Sequence, residues 1–204
     1  MEIKEKKTYL YLLLFCLILG ALGGTVINLI IQHYKNSDKE IIKEFYLMQN
    51  KVYVSPHSLR TKMDKGIEDY ILVDLRSQNE YEKEHIVGAI NIPVYKDEFT
   101  PDYDNKERII EEFSKLPKNK EVIVYCYSTP CMSGRKIGLL LAENGIYVKH
   151  LGIGWNEWRY YWKLWNHEPE WNQTDVKDYI ATGKEPGKPL RKNISSVCSI
   201  EGGC

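Results

Sequence analysis

From Tyr9 to Ile31 the chain runs through 23 residues without a charge, and only Thr25 and Asn28 are clearly polar. As a helix rising ~1.5 Å per residue, this stretch is about 34 Å long, enough to cross a hydrocarbon core of roughly 30 Å. Lipid offers the backbone no hydrogen bonds, so a helix that closes its own is the form required. The expectation is a short arm over 1–8 and a transmembrane helix over 9–31, with membrane lipid as its partner. A cleaved leader is the rival reading, with Lys4, Lys6 and Lys7 as its basic region and Ala21-Leu22-Gly23 as a weak cleavage site. The apolar run continues past that site through Val26, Ile27, Leu29, Ile30 and Ile31, and the bulky Phe15 before Cys16 does not suit lipoprotein processing. A retained single-pass anchor is therefore the reading. Lysines stand on both sides, at 4, 6 and 7 and at 35, 39 and 43. The denser arm favours an inside N-terminus and a domain on the extracytoplasmic side. Gly20 and Gly24 form a G-x-x-x-G face, extended one turn by Cys16, on which two copies can approach as a homodimer.

Residues 32–50 are charged, with Ile41, Ile42, Phe45, Tyr46, Leu47 and Met48 at partly helical spacing, and read as a juxtamembrane stalk. The chain balances 28 basic against 28 acidic residues overall, so no global field argues for nucleic acid or for a disordered, solvating chain. Aromatic content of 12% favours a packed globule. Five cysteines, at 16, 126, 131, 198 and 204, lack the paired C-x2-C spacing of a zinc site, and no metal or cofactor is expected. An odd number leaves at least one thiol free or paired outside the chain.

Strand and helix patterns alternate over 51–170. Val52–Val54 is a short β-rich run. Ser55-Pro56 opens a helix to about Lys65, ended by Gly66. Tyr70–Asp74 and Glu121–Tyr125 are unbroken apolar runs, hence buried strands, and Tyr147–Leu151 is another. Gln78–Glu84, Asn105–Leu116 and Ser133–Asn144 read as helices. This rhythm specifies an α/β domain, a doubly wound, mainly parallel five-stranded sheet with helices on both faces. Such sheets place their sites at the carboxyl ends of the strands, so the loops leaving Asp74 and Tyr125 are the places to look for chemistry.

Tyr125 is followed by Cys126, in a loop that leads into the helix at Ser133. Backbone N–H groups and the positive helix end there stabilise a thiolate or a bound anion, as a nucleophilic cysteine requires. A small buried hydrophobe is the plainer use of a single cysteine in that place. The other strand end carries Leu72-Val73-Asp74-Leu75-Arg76-Ser77, then Glu80-Tyr81, then His85-Ile86-Val87-Gly88-Ala89-Ile90-Asn91-Ile92-Pro93. With the strand–cysteine loop–helix unit and the late Gly152-Ile153-Gly154-Trp155-Asn156-Glu157-Trp158, these residues resemble the rhodanese family over Val52 to about Pro169.

The resemblance implies a sulfurtransferase in which Cys126 takes a sulfane sulfur, from thiosulfate, a polysulfide or a persulfide, and yields it to a thiol or another nucleophile. Tyr127, Ser128, Thr129, Pro130, Cys131, Met132, Ser133 and Arg135 form the substrate loop. Asp74, Arg76 and His85 support the site: Asp74 fixes nearby loops, Arg76 pairs with Glu80 or another internal carboxylate, and His85 is a hydrogen-bonded structural residue. Gly88-Ala89 reads as a close-packed turn. Trp155, Trp158, Tyr160, Tyr161, Trp162 and Trp165 are expected to cover the core. The loop is about two residues longer than the family's commonest form, so Arg135 is expected in the first helical turn, outside the cradle, which puts a thiosulfate preference in doubt. Tyr125 before the cysteine and Met132 six residues after it disfavour the related phosphatases, which need His-Cys-x5-Arg.

Cys131 opens a second reading, as a partner that resolves Cys126 through an intraloop disulfide or as a loop-packing thiol. A non-catalytic or redox-sensing module that binds a partner at the membrane, and thiol-disulfide exchange through Cys126 and Cys131, are the alternatives to sulfur transfer. The segment 171–204 is polar and reads as an extended strap whose Cys198 and Cys204 receive sulfur, form a disulfide or hold a partner. Asn172-Gln173-Thr174 and Asn193-Ile194-Ser195 match the glycosylation sequon, a pattern frequent by chance.

Overall fold

A computed structural model describes residues 2–35 and 38–192. Cys198, Cys204 and the Asn193 sequon lie outside them. The chain divides into two compact units, Met1–Gln49 and Asn50–Cys204.

The first unit is helical. Helix α1 spans Glu2–Lys35, and its Lys7–His33 stretch of 27 residues is long and apolar enough to cross a membrane. The helix overruns the 9–31 boundary at both ends because nothing in the flanking lysine-rich turns breaks it. Helix α2, Asp38–Val52, takes in the stalk and carries acidic residues in its first turn and Lys51 in its last, matching its dipole.

The second unit begins with strand β1 (Tyr53–Val54) and helix α3 (Pro56–Lys65). Proline sits at the first helical position, where its missing N–H costs nothing. Ser55 flanks the helix without a side-chain capping bond, and Gly66 closes it at φ 64°. Strand β2 (Tyr70–Asp74), helix α4 (Gln78–Lys83), strands β3 (His85–Ile86) and β4 (Ala89–Asn91) come next. The expected Gly88-Ala89 turn is thus narrower: Gly88, at φ 82°, makes the turn, and Ala89 opens a strand. Helix α5 (Lys106–Ser114), strand β5 (Glu121–Tyr125), helix α6 (Ser133–Glu143), strand β6 (Lys149–Leu151), helices α7 (Trp155–Tyr160) and α8 (Trp162–Trp165), and strand β7 (Ile180–Ala181) complete it.

Five strands form one parallel sheet in the order β1-β6-β5-β2-β4, while β3 and β7 pair antiparallel beside it. Successive strand residues point to opposite faces, so one apolar run fills two cores. Leu72, Ile123 and Tyr125 face the α3, α7 and α8 side with Leu59, Met63 and Trp158. Val73, Val122, Val124 and Cys126 face the α5 and α6 side with Ile109, Phe113, Ile137 and Leu141. From β2 the chain moves outward to β4, and from β5 it moves the other way to β6. The crevice at the carboxyl ends of β2 and β5 is therefore the switch point of the sheet.

Trp155, Trp158 and Trp162 are buried and Trp165 packs against them, as expected, but Tyr160 and Tyr161 are exposed. Two short helices that each bury one face cannot bury all six of these aromatic positions. The domain also runs on past residue 170. Tyr179 is buried, Trp158 Nε1 donates to its carbonyl at 3.2 Å, β7 pairs with β3, and the N–H of Lys192 donates to the carbonyl of Asp64. Beneath this strap Arg60 pairs with Glu170 while Tyr179 donates to Asp64 at 2.7 Å. The polar composition of 171–192 thus reflects buried hydrogen bonding as well as solvent contact.

Replacing Trp158 by Ala is expected to lower the domain's stability by about 3–5 kcal/mol, the range for emptying an aromatic core site. Leu164→Ala, at a position 78% exposed, should fall within about 0.5 kcal/mol of wild type. Urea unfolding midpoints for the two variants test this.

Candidate active site

Asp74 and Tyr125 end neighbouring strands in register, which brings their side chains together. Both are fully buried. Asp74 Oδ2 accepts from the Tyr125 hydroxyl at 2.6 Å and from Arg76 Nη2 at 2.6 Å, while Oδ1 accepts from the Arg76 N–H and Nε. Arg76 therefore pairs with Asp74, two residues back, and not with Glu80. Its Nη2 also donates to the Glu84 carbonyl at 2.8 Å, and its guanidinium lies 4.3 Å over the Trp155 ring. Burial alone would lower its pKa, but the Asp74 carboxylate outweighs burial and raises it. Asp74 thus locks the strand end and the turn into α4. His85 is fully buried, stacked on Tyr81 at 3.8 Å, with Nδ1 2.7 Å from the Tyr81 carbonyl. The partners of Asp74 and His85 are thus Arg76, Tyr125 and Tyr81.

The freed Glu80 does two other things. It caps α4 by accepting from Ser77 Oγ at 2.6 Å, and it accepts from the Tyr127 hydroxyl at 2.6 Å. The residue after Cys126 is thereby tied to the loop after β2. The opposite side of the cysteine loop is held by α7. The N–H groups of Trp155 and Asn156 donate to the carbonyls of Cys126 and Tyr127, each at 2.8 Å. Glu157 accepts from Thr129 N–H at 3.1 Å and from Gly154 N–H at 3.0 Å. The approach is so close that a Cβ on Gly154 would overlap the backbone of Tyr127 and Ser128. Glycine is required there for space.

Within this frame a turn, closed by Cys131 N–H donating to the Ser128 carbonyl at 3.0 Å, folds the loop back on itself. It sets Cys131 Sγ 3.2 Å from Cys126 Sγ, with both thiols unbonded. Cys126 is 1% exposed and Cys131 half-buried. Ser133 Oγ lies 3.3 Å from Cys131 Sγ, and the hydroxyls of Tyr95 and Tyr103 reach that same oxygen at 2.7 and 2.6 Å. Cys131 Sγ and the two tyrosine hydroxyls thus meet at one serine oxygen.

The two thiols share a proton and titrate as a pair. The hydrogen bond from Cys126, then the Ser133 hydroxyl and the N–H groups of Ser133 and Tyr127, lower Cys131 to about 5 against the effect of burial. The same hydrogen bond, then burial, pushes the Cys126 thiol up. Both directions favour the anion on Cys131 over one on Cys126. Arg135 lies outside this cradle in the first turn of α6. Its guanidinium donates to Tyr53 Oη at 3.0 Å and to the carbonyls of Thr129 and Cys131 at 3.3 Å. It braces the outer side of the loop. Pro130 sits at the tip of the loop and is exposed, as is Met132, which precedes α6. Lys136 stacks over Tyr103 at 5.1 Å.

Tyr95 and Tyr103 gave no sequence signal, lying in an irregular stretch between β4 and α5 without periodicity. The capping role of Glu157 was legible in principle, since Gly154-x-x-Glu157 matches the spacing of a capping box.

Arg76→Met leaves the buried Asp74 carboxylate without its partner and should cost about 3–5 kcal/mol in urea unfolding. Alkylation of Cys131 by iodoacetamide should change less than about twofold from pH 6 to 8, because its thiolate is already formed above pH 5. Free glutathione, an unperturbed thiol, should gain roughly a hundredfold over the same range. A Cys131 rate that climbs like glutathione's would move the thiolate elsewhere.

The rhodanese-like domain family matches residues 55–160, just over half of the chain. Thiosulfate sulfurtransferase GlpE of Coxiella burnetii is 31% identical over 87 residues, 42% of this chain and 67% of that protein. The HTH-type transcriptional regulator Rv0324 of Mycobacterium tuberculosis is 30% identical over 88 residues, 43% of this chain, and the match spans only 34% of the regulator's length. Among solved structures, the BH2092 protein of Bacillus halodurans aligns with a TM-score of 0.48 at 26% identity, covering 60% of this chain and 81% of that one. The chain belongs to the rhodanese-like domain family, with its Cys126 loop and Asp74–Arg76 turn both inside the matched segment.

Proposed function

We propose that this protein is a membrane-anchored sulfurtransferase that carries sulfane sulfur as a persulfide on Cys126 and passes it to a thiol or another nucleophile. The observation that supports this most is Cys126 at the switch point of the sheet, in a loop pinned by α4 and α7, with the sulfur of Cys131 3.2 Å away. As a donor enters, the Cys126 thiol gives up its proton and its sulfur attacks the sulfane sulfur. That proton passes to the departing group. Helix α1 holds the domain at the lipid surface, with the lysine-rich arm inside and the domain on the extracytoplasmic side.

The groups nearest the thiols are hydroxyls and backbone N–H groups, while Arg135 faces outward. Without a guanidinium in the cradle, a persulfide or polysulfide is the favoured donor over the thiosulfate dianion. GlpE carries thiosulfate in its name, so the donor separates this chain from that relative.

The test treats the full chain in detergent, as the Cys131→Ser variant, with thiosulfate, inorganic polysulfide or glutathione persulfide. Mass spectrometry should find one added sulfur on Cys126 with the last two donors, at a rate roughly tenfold or more above thiosulfate. Cys126→Ser should abolish that transfer. Unmodified protein with every donor would overturn the proposal.

A further inference from the structure

Holding one sulfur atom needs one cysteine, yet the loop is folded so that a second thiol touches the first. Cys131 Sγ stands 3.2 Å from Cys126 Sγ, the atom that becomes the inner sulfur of a persulfide. That is within the roughly 3–3.5 Å of a near-attack arrangement. Closing it to a disulfide needs about 1 Å of movement. The turn from Ser128 to Cys131 brings Cys131 back onto Cys126, and the hydroxyls of Tyr95 and Tyr103 converge on Ser133 Oγ, which lies 3.3 Å from the sulfur of Cys131.

We propose, resting on the sulfurtransferase reading above, that Cys131 splits the persulfide on Cys126, so that this domain reduces sulfane sulfur and releases it as hydrosulfide. The Cys131 thiolate attacks the Cys126 sulfur of Cys126–S–SH. A bond forms between the two cysteine sulfurs, and the bond to the outer sulfur breaks. The electron pair of that bond leaves with the outer sulfur, which keeps its proton and departs as hydrosulfide. The sulfane sulfur gains two electrons, and the two cysteines lose two in becoming a disulfide. A dithiol, small or protein-borne, restores the pair by ordinary exchange and is itself oxidised to a disulfide.

Geometry and leaving-group chemistry agree on which sulfur is attacked. Attack on the outer sulfur would move the persulfide to Cys131 and expel the Cys126 thiolate. Cys126 is the buried partner, where a thiolate is the harder charge to leave behind. Attack on the inner sulfur expels hydrosulfide, a weaker base than that thiolate, and better leaving groups depart faster. The half-buried side of the loop at Cys131 gives a reducing dithiol its point of entry.

The full chain in detergent, reduced and freed of reductant without air, is given one equivalent of glutathione persulfide. Cys126 and Cys131 fall in one tryptic peptide, between Lys120 and Arg135. Wild type should release close to one sulfide per chain, and that peptide should then lack two hydrogens, the mark of an internal disulfide. Cys131→Ser should retain the added sulfur on Cys126 and release sulfide at least roughly tenfold more slowly. A stable added sulfur on wild type would overturn the splitting step while leaving sulfur transfer intact. Equal sulfide release from the variant would do the same, as would a disulfide from Cys126 to Cys198 or Cys204. If neither protein takes up sulfur nor releases sulfide, both proposals fall. The wild-type peptide mass decides between these outcomes without reference to any variant.

Discussion

A carboxylate buried between two strand ends organises this domain. Asp74 takes hydrogen bonds from Tyr125 on the neighbouring strand and from Arg76 two residues on, and the arginine in turn reaches the Glu84 carbonyl and the face of Trp155. A buried charge is tolerable only when paired and fully hydrogen-bonded, so these partners cannot move independently. Every loop around the cysteines springs from a residue in or next to this group. Cys126 comes directly after Tyr125, the turn into α4 begins at Arg76, and Trp155 opens the helix whose N–H groups hold the cysteine loop.

Because Asp74 takes Arg76, Glu80 is left for the cysteine loop. The same carboxylate that caps α4 receives the Tyr127 hydroxyl, and Glu157 does the equivalent work from α7 by binding both Gly154 and Thr129. The loop is thus pinned at both shoulders and free at its tip. This is how an irregular segment of six residues can hold two thiols at 3.2 Å. The proton shared between them links their reactivities. The hydrogen bond between them draws the half-buried Cys131 thiol down in pKa and, with burial, pushes the buried Cys126 thiol up. A redox or sulfur-transfer step at such a pair is a property of the pair.

The helical unit obeys a different constraint. Its apolar side chains from Tyr9 to Ile31 are exposed, a surface that costs about 25 cal/mol per Å² in water and is favourable in lipid.

Much was legible from the residues alone. Strands 70–74 and 121–125 were readable because a buried parallel strand is an unbroken apolar run, and the apolar helix because its uncharged run is far longer than a strand. The position of Cys126 was set by the end of its strand, and the order of motifs carried the family. The features that stayed hidden depend on contacts between residues far apart in the chain. Whether Arg76 meets Asp74 or Glu80 turns on side-chain geometry at a strand end, and both were within reach by spacing. Tyr95 and Tyr103 join the site because an irregular connection passes over α6, and such a path leaves no periodic trace. The 171–192 strap read as loose because polar composition is the same for a solvated tail and for a segment whose polar groups are satisfied inside. Sequence determined the long apolar helix, the strands and the place of Cys126, since local periodicity encodes burial. Only the tertiary structure decided that Cys131 folds back onto Cys126, because that contact is set by the anchoring of the loop's two ends by distant residues.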